Sequence, residues 1–329
     1  MSIRVCAVSR TYDVPPDDAG QRLDRYLRKL LPGATLGHVF KLIRKKRVRV
    51  NGAAAAASTR LEIGDVVEID KDAEDLRDLS RRRGSAPKRN RGGRTYRIDV
   101  LFEDEHLAAV LKPRGLAVHG GTGQDSSLVD RLPSLFGASS ARTFRPAPAH
   151  RLDRETSGIL LIGKTAEALR ALHEAFREGR VRKRYLALTR GVPRQHHGVI
   201  DKSLVRVDDP RGAKMAISED PTDENALEAR TQFRTLASSR GHALLSVEIA
   251  TGRTHQIRVH LAAIRAPLIG DTRYGGGRLE AAPSAGFWLH AGRLDFEHPV
   301  THEAMRLRMD PPAEFREVAE SLELRLPRA

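Results

Sequence analysis

The strongest constraint on the fold is a polar stretch of nine residues that runs directly into four large apolar residues. The polar stretch is His150-Arg151-Leu152-Asp153-Arg154-Glu155-Thr156-Ser157-Gly158, and the apolar run is Ile159-Leu160-Leu161-Ile162. A short and continuous apolar run of this kind indicates a buried strand. The sequence therefore predicts a polar turn that is held at the end of a buried strand.

Asp153 lies in this turn among three side chains that are or can become cationic, namely those of His150, Arg151 and Arg154. A nearby positive charge favours the ionised form of a carboxylic acid. We therefore expect Asp153 to act as a nucleophile or an anchor rather than as a proton donor. An Asp beside an Arg is more often a structural ion pair than a catalyst, so the turn alone leaves both interpretations open.

Positive charge is concentrated in the first third of the chain. The net charge of the 329 residues is +15, and residues 1–96 contribute 22 Lys and Arg against 12 Asp and Glu, a net +10. This balance favours a polyanionic partner, with nucleic acid first. No apolar run approaches the roughly 18 residues needed to cross a bilayer, and the first residues lack the apolar core of a signal peptide. We expect a cytoplasmic protein that does not bind a membrane.

The cysteine and histidine content argues against a metal site. Cys6 is the only cysteine, which excludes an intrachain disulfide and a thiolate zinc cluster. His255 and His260 lack the spacing that aims two imidazoles at one metal from a helix face. The glycines that follow His119 lack the spacing of a phosphate-binding loop. We therefore predict no metal and no cofactor.

Residues 14–70 form the first predicted domain. Apolar periodicity predicts a helix from Leu23 that stops at Pro32, and a second helix with Thr35 as its N-cap. Val48-Arg49-Val50 alternates as a strand, and Asn51-Gly52 predicts a hairpin turn. The predicted phosphate contacts are six cations with no acidic residue nearby, Lys41, Arg44, Lys45, Lys46, Arg47 and Arg49. A merely solvated helix face is the alternative interpretation.

Residues 71–96 are predicted to be a basic, flexible linker, because they contain few apolar groups and many Lys, Arg and Gly. Residues 97–329 form the second predicted domain, in which short strands alternate with a few helices. One of these helices follows Thr251-Gly252-Arg253-Thr254. We expect Thr254 to cap it, Ile257 to face the core, and Arg258 to point away from that buried face.

Four motifs of this second domain occur together in a fixed order. They are His150-Arg151-Leu152-Asp153-X-X-Thr156-Ser157-Gly158, Arg184-Tyr185-Leu186-Ala187, Gly252-Arg253-Thr254-His255-Gln256-Ile257-Arg258-Val259-His260, and Leu289-His290-Ala291. In this combination residues 97–329 resemble the RluA family of pseudouridine synthases, and residues 14–70 resemble the S4 RNA-binding domain. The resemblance implies an α+β chain: a pseudouridine synthase fold, with a mixed and mostly antiparallel central sheet flanked by helices and loops, preceded by a small α/β S4-like domain.

The resemblance also implies an enzyme that isomerises specific uridines to pseudouridine in large-subunit (23S) ribosomal RNA without a cofactor. By that resemblance Asp153 is the nucleophile that attacks a flipped-out uridine, and Arg258 pairs with Asp153. Tyr185 packs against the extruded base, and a share in proton transfer is left open. Arg151 contacts the RNA, where it fills the vacated stack or steadies the backbone. A monomer is expected.

Two alternatives remain at this point. The first is a synthase of the same family that acts on transfer RNA. The second is a non-catalytic RNA-binding factor of ribosome assembly that has kept the fold. The basic first domain and the long linker favour a large folded RNA over transfer RNA, though only by analogy.

Overall fold

The structure is a computed structural model that describes residues 9–70, 96–120, 127–137, 143–210, 214–220, 222–278 and 286–327. Cys6, the predicted linker apart from Tyr96, and the glycines at 121 and 123 lie outside the described residues. The chain divides into two compact units. The first contains the described residues of 1–93, 132–146 and 164–167, and the second contains those of 94–131, 147–163 and 168–329.

The first unit is a small four-stranded sheet with helices. Its elements are β1 (Ser9–Asp13), α1 (Leu23–Leu30), α2 (Leu36–Arg44), β2 (Val48–Val50), β3 (Ala53–Ala54), β4 (Val66–Asp70) and α3 (Leu132–Phe136). The strand order is β1-β4-β2-β3, and all pairs are antiparallel. Thr35 caps α2 as predicted, because its hydroxyl accepts a hydrogen bond of 3.2 Å from the His38 amide.

The second unit is built on a ten-stranded sheet. Its elements are β5 (Asp99–Glu103), β6 (Leu107–Lys112), β7 (Ala147–Pro148), β8 (Thr156–Gly163), α4 (Ala166–Arg177), β9 (Arg182–Arg190), β10 (His197–Asp201), β11 (Leu204–Val207), β12 (Lys214–Ile217), β13 (Arg230–Ser239), β14 (His242–Ile249), α5 (Gln256–Ala263), β15 (Leu289–Glu297), β16 (Ala304–Arg308) and α6 (Ala313–Ser321).

The strand order of the large sheet is β10-β13-β14-β9-β15-β8-β6-β5, with β7 beside β8 and β16 beside β15. Within the described ranges, β8 and β15 are the one parallel pair of this sheet, and the other pairs are antiparallel. The prediction of a mixed, mostly antiparallel sheet is therefore confirmed. The apolar run after the central turn lies in β8, in which every residue is buried, also as predicted.

The parallel contact between β8 and β15 depends on a glycine. Gly158 pairs with Ala291, and its φ of +126° is a conformation that other residues rarely adopt. A Cβ at this position would lie 2.3 Å from the Ala291 carbonyl oxygen. Any side chain here would therefore push β15 away from the strand that carries the central turn.

The large sheet has two different faces. Along β9 the side chains of Lys183 and Tyr185 are buried on one face, whereas those of Arg182 and Arg184 are exposed on the other. We call the first of these the pocket face, because Tyr185 and the residues that surround Asp153 line a cavity there.

Candidate active site

The central turn presents Asp153 at the start of β8. The Thr156 amide donates a hydrogen bond of 3.1 Å to the Asp153 carbonyl, which closes the turn, and Thr156 begins the strand. The Asp153 side chain is 18% exposed, so it is sheltered but can be reached from solvent. A carboxylate in this position can act on a bound molecule.

The partner of Asp153 is an arginine far away in sequence. Arg258 Nη1 lies 3.3 Å from Asp153 Oδ2. The same guanidinium binds Asp271 with two hydrogen bonds, of 2.7 Å from Nε and 3.0 Å from Nη2. Arg258 therefore lies between two carboxylates, and Asp271, whose side chain is 2% exposed, holds it more closely than Asp153 does. Burial disfavours the cation, but the Asp271 hydrogen bonds and charge outweigh it and raise the pKa of Arg258 above its usual value.

Two aromatic rings enclose the same guanidinium. The Arg258 Cζ atom lies 4.4 Å from the centroid of the Phe287 ring and 4.9 Å from that of Tyr274. Aromatic faces attract cations, and burial removes the water that would weaken this attraction. Arg258 is thus fixed from four sides. Arg258 is itself buried, because α5 is buried on nearly all sides from Gln256 to Leu261.

The start of α5 also differs from the prediction. The N-cap is His255 rather than Thr254, and His255 adopts a left-handed conformation with φ of +56°. The loop before it is held instead by Gln256, whose Oε1 accepts hydrogen bonds from the Arg253 amide and the Thr251 hydroxyl. The sequence motif supplies the turn through a glutamine side chain, not through a threonine cap.

His255 is a site residue that the sequence analysis missed. Its Nε2 lies 4.0 Å from Asp153 Oδ2, and its Nδ1 lies 2.9 Å from the Tyr274 hydroxyl. Burial is the largest cause that lowers the pKa of His255, so the neutral ring is favoured. In the neutral ring that accepts the Tyr274 proton at Nδ1, the remaining proton is on Nε2, the nitrogen that faces Asp153.

Tyr185 contributes an aromatic wall. It is 6% exposed, and its ring lies on the pocket face of β9. Burial, followed by the nearby charge of Asp153, raises the pKa of the Tyr185 phenol well above its usual range. A phenol of this kind stays protonated, so it is suited to packing and to donating a hydrogen bond rather than to accepting a proton as a base.

Asp153 lies where two cavities meet. The smaller one, of about 60 Å³, is lined by Asp153, Tyr185 and Arg258 among others. The larger one, of about 560 Å³, shares Asp153, His255 and Arg258 with it and extends to His119 and Arg273. Arg151 lies at the border of both and is exposed. The arrangement offers a narrow slot beside the carboxylate and a wider approach that is lined with cations.

The cations next to Asp153 in sequence do not brace it. His150 Nε2 accepts the Leu161 amide at 3.1 Å, and desolvation, helped by the Lys183 charge, lowers the pKa of His150 to about 3. Arg154 is exposed and donates from Nε to the Gly115 carbonyl at 2.9 Å. The turn therefore aims both side chains at other partners, so neither is the ion-pair partner of Asp153 that the sequence suggested.

The buried side chain of Lys112 holds the turn that carries Asp153 in place. Lys112 Nζ donates to the carbonyls of Pro113, Leu116 and Arg154, at 2.9, 2.7 and 3.0 Å. It thereby ties the loop after β6 to the residue that follows Asp153. Burial lowers the pKa of Lys112 to about 7. The pair Lys112-Pro113 after an apolar strand is the sequence signal for this position.

The six predicted phosphate contacts lie on the first unit. Lys41 and Arg44 belong to α2, Arg49 belongs to β2, and the other three connect the two elements. All six side chains are exposed, as a surface that binds RNA requires. Whether they touch RNA stays a prediction.

Comparisons with known proteins match two parts of the chain to known families. Residues 106–263 match the family described as RNA pseudouridylate synthase, and residues 21–67 match the S4 domain. The chain is 33% identical over 320 residues to the ribosomal large subunit pseudouridine synthase C of Pasteurella multocida (strain Pm70), covering 94% of this chain and 92% of that protein. It is 33% identical over 312 residues to the protein of the same name from Escherichia coli (strain K12), covering 93% and 92%. Among solved structures, Human RNA Pseudouridylate Synthase Domain Containing 4 is 28% identical with a TM-score of 0.56, covering 70% of this chain and 94% of that one.

Proposed function

Since the chain belongs to the RNA pseudouridine synthase family and carries an S4 domain, we propose that it isomerises specific uridines in large-subunit ribosomal RNA with Asp153 as its nucleophile. The predicted family, fold class and enzyme class are confirmed by the comparisons. None of the helices in the described ranges has the length and apolar character that a membrane-spanning helix requires. A cytoplasmic location and a monomeric state stay predictions.

The observation that supports the proposal most strongly is the position of Asp153 between Arg258 and the narrow cavity. The reaction breaks the N1–C1′ bond of uridine, turns the detached uracil and joins its C5 to C1′. N1 gains a proton and C5 loses one, so no atom is gained or lost overall. We consider two routes, attack of the carboxylate at C1′ and elimination through a glycal. Both routes require a carboxylate beside the sugar.

The remaining residues have roles that follow from their contacts. Arg258 keeps Asp153 oriented, and Asp271 keeps Arg258 in place. Tyr185 packs against the extruded base, which cannot leave while its glycosidic bond is broken. Arg151, exposed at the mouth of the slot, contacts the RNA where the uridine has left its stack. Extrusion costs a few kcal/mol, and phosphate contacts from Lys41, Arg44, Lys45, Lys46, Arg47 and Arg49 offset this cost.

The test compares Asp153→Asn with the wild type on unmodified large-subunit ribosomal RNA. The variant keeps the shape of the side chain but is a far weaker nucleophile, so pseudouridine formation should fall about 10³-fold or more. RNA binding should change little, because Asp153 is not one of the proposed phosphate contacts. The exposed Asp201 on β10 provides a matched control, since Asp201→Asn should leave turnover unchanged.

Three outcomes would contradict the proposal. Full turnover by Asp153→Asn would remove Asp153 from the chemistry. Conversion of transfer RNA without conversion of ribosomal RNA would keep the enzyme but replace its substrate. Complementation of a deletion strain by Asp153→Asn, as well as by the wild type, would favour the non-catalytic assembly factor instead.

A further inference from the structure

The face of the large sheet opposite the pocket carries a set of six arginines. Because neighbouring residues of a strand point to opposite faces, Arg184 points away from the face that holds Tyr185. The register places the other members on the same side as Arg184. We call this set the arginine face, and it consists of Arg182, Arg184, Arg234, Arg293, Arg306 and Arg308. All are exposed except Arg293, which is half-buried.

Three members of the arginine face lie directly opposite one another on adjacent strands. Arg293 of β15 pairs with Arg184 of β9 on one side and with Arg308 of β16 on the other. Directly opposed side chains in a sheet have Cβ atoms about 4.5–5.5 Å apart, and like charges at this distance destabilise the sheet. Glu248 and Asp295 offset part of this repulsion, and a bound polyanion would neutralise the rest.

Few carboxylates neutralise the arginine face. Arg184 pairs with Glu248 at 3.1 Å, and Arg293 binds Asp295 at 2.9 Å. The guanidinium groups of Arg234 and Arg308 have no carboxylate partner among the residues that the structure describes.

Asp310 is the third acid at this surface. Glu297, two residues after Asp295 on β15, lies on the same side as a fourth acid. Six arginines therefore stand against four carboxylates, and the surface keeps a net positive charge.

The arginine face contains a groove suited to a nucleic acid strand. The groove has a volume of about 250 Å³, and four of the arginines line it, namely Arg184, Arg234, Arg293 and Arg308. Its apolar lining includes Leu186, Leu236 and Met309. The planar guanidinium matches the geometry of a phosphate with two parallel hydrogen bonds. The apolar floor can pack against a ribose or a base.

We propose that the arginine face binds the phosphate backbone of a second segment of the substrate RNA, distinct from the segment that enters the pocket. This proposal rests on the proposed function insofar as the polyanion is RNA. The sheet itself separates the arginine face from Asp153, so a short hairpin seated in the pocket does not reach both surfaces. A long folded RNA does, and this surface would select for such a substrate.

The experiment uses the full-length triple variant Arg234→Gln, Arg293→Gln and Arg308→Gln. Two probes are compared, an unmodified large-subunit ribosomal RNA transcript and the shortest fragment of it in which the wild type forms pseudouridine. Affinity for the transcript should fall about tenfold or more at roughly 0.1 M salt. The slope of log Kd against log salt should fall by about two to three, one for each lost phosphate contact. Turnover of the short fragment should stay unchanged.

A charge-matched control removes three exposed arginines that lie off this face, Arg170, Arg177 and Arg265, again by Gln. The control variant should bind the transcript as the wild type does. Equal losses in both variants would reduce the effect to net charge and overturn the proposal. Unchanged affinity of the first variant for the transcript would overturn it as well, and would leave an acidic protein as the occupant to be considered.

The proposal and the proposed function can fail separately. Turnover of the short fragment reports on Asp153 and the pocket, whereas the transcript affinity reports on the arginine face and can be measured without any turnover. If the triple variant does not fold, the single variant Arg308→Gln at the edge strand β16 takes its place. We then expect a loss in affinity of about threefold and a slope lower by about one.

Discussion

The two faces of the large sheet use charge in opposite ways. On the pocket face, Arg258 is buried between Asp153 and Asp271 and is covered by two aromatic rings. On the arginine face, cations lie opposite one another and several have no carboxylate partner among the described residues. Buried charges require one particular geometry, because an unpaired buried charge is costly. Exposed charges act together over a distance and are screened by salt. The first face should therefore respond to geometry, and the second to ionic strength.

The same conservative substitution on the two faces should give the largest contrast. Arg258→Lys keeps the positive charge but loses the planar guanidinium. This group makes two hydrogen bonds to Asp271 and a third to Asp153 at the same time. We expect kcat to fall about 100-fold with little change in KM, measured on the shortest convertible RNA fragment. Arg293→Lys serves as the control and should leave kcat unchanged.

Asp271→Asn tests the same geometry from the other side. If Asp271 only positions Arg258, the variant should lower kcat without weakening RNA binding. An equal drop in kcat for Arg258→Lys and Arg293→Lys would show that the two faces do not differ in the way that we describe.

Acid should destabilise the large sheet through His290, which lies beside Leu186 on the side opposite the pocket, and this effect is of intermediate size. His290 is fully buried, with Nδ1 3.0 Å from the Ser157 hydroxyl and Nε2 3.1 Å from the Met309 carbonyl. Burial lowers its pKa to about 4. The unfolded chain takes up this proton near pH 6.5, so the folded state loses stability as pH falls from about 6.5 to about 4. The loss amounts to roughly 3 kcal/mol, and His150 adds a loss of the same sign.

Urea unfolding at several pH values measures this effect. The variant His290→Gln should flatten the dependence between pH 6.5 and 4, although it lowers stability at neutral pH by removing two buried hydrogen bonds. The exposed His197 provides the control, since His197→Gln should leave the pH dependence as it is. A wild-type stability that does not change over this range would contradict the neutral, buried state of His290.

Exposed cations outside the sheet should give the smallest effect. Lys45 and Arg47 follow α2 and are both exposed. Replacing both by Gln should weaken binding of the ribosomal RNA transcript only a few-fold and lower the salt slope by about one to two. The difference should vanish at high salt, where the wild type also loses its phosphate contacts. A loss that persists at high salt would indicate a structural role for these two residues.

The sequence was sufficient where local patterns decide the structure. Thr35 caps its helix, the Asn51-Gly52 turn has the positive φ angles of a hairpin, and the apolar run after Gly158 forms a buried strand. In each case the residues that interact are neighbours in the chain. Family membership also followed from the sequence, because the four motifs keep a fixed order.

The sequence was insufficient where the structure depends on the direction of a side chain or on a contact between residues far apart in the chain. Asp271 is 13 residues from Arg258, and no local pattern shows that its carboxylate turns back to the guanidinium. His150 and Arg154 are close to Asp153 in the chain, yet one turns into the core and the other to the Gly115 carbonyl. The arginine face was invisible for a similar reason, because its row of three cations is assembled from three strands by their register.

The pairing of Gly158 with Ala291 has a consequence for how the protein folds during its synthesis. The strand that carries the Asp153 turn is complete when about half of the chain has left the ribosome, but its parallel neighbour emerges 133 residues later. Domains generally fold in the order of their synthesis, so the S4 domain can fold well before the pocket beside Asp153 is complete. Synthesis itself thus delays the onset of chemistry until nearly the last strand has been made.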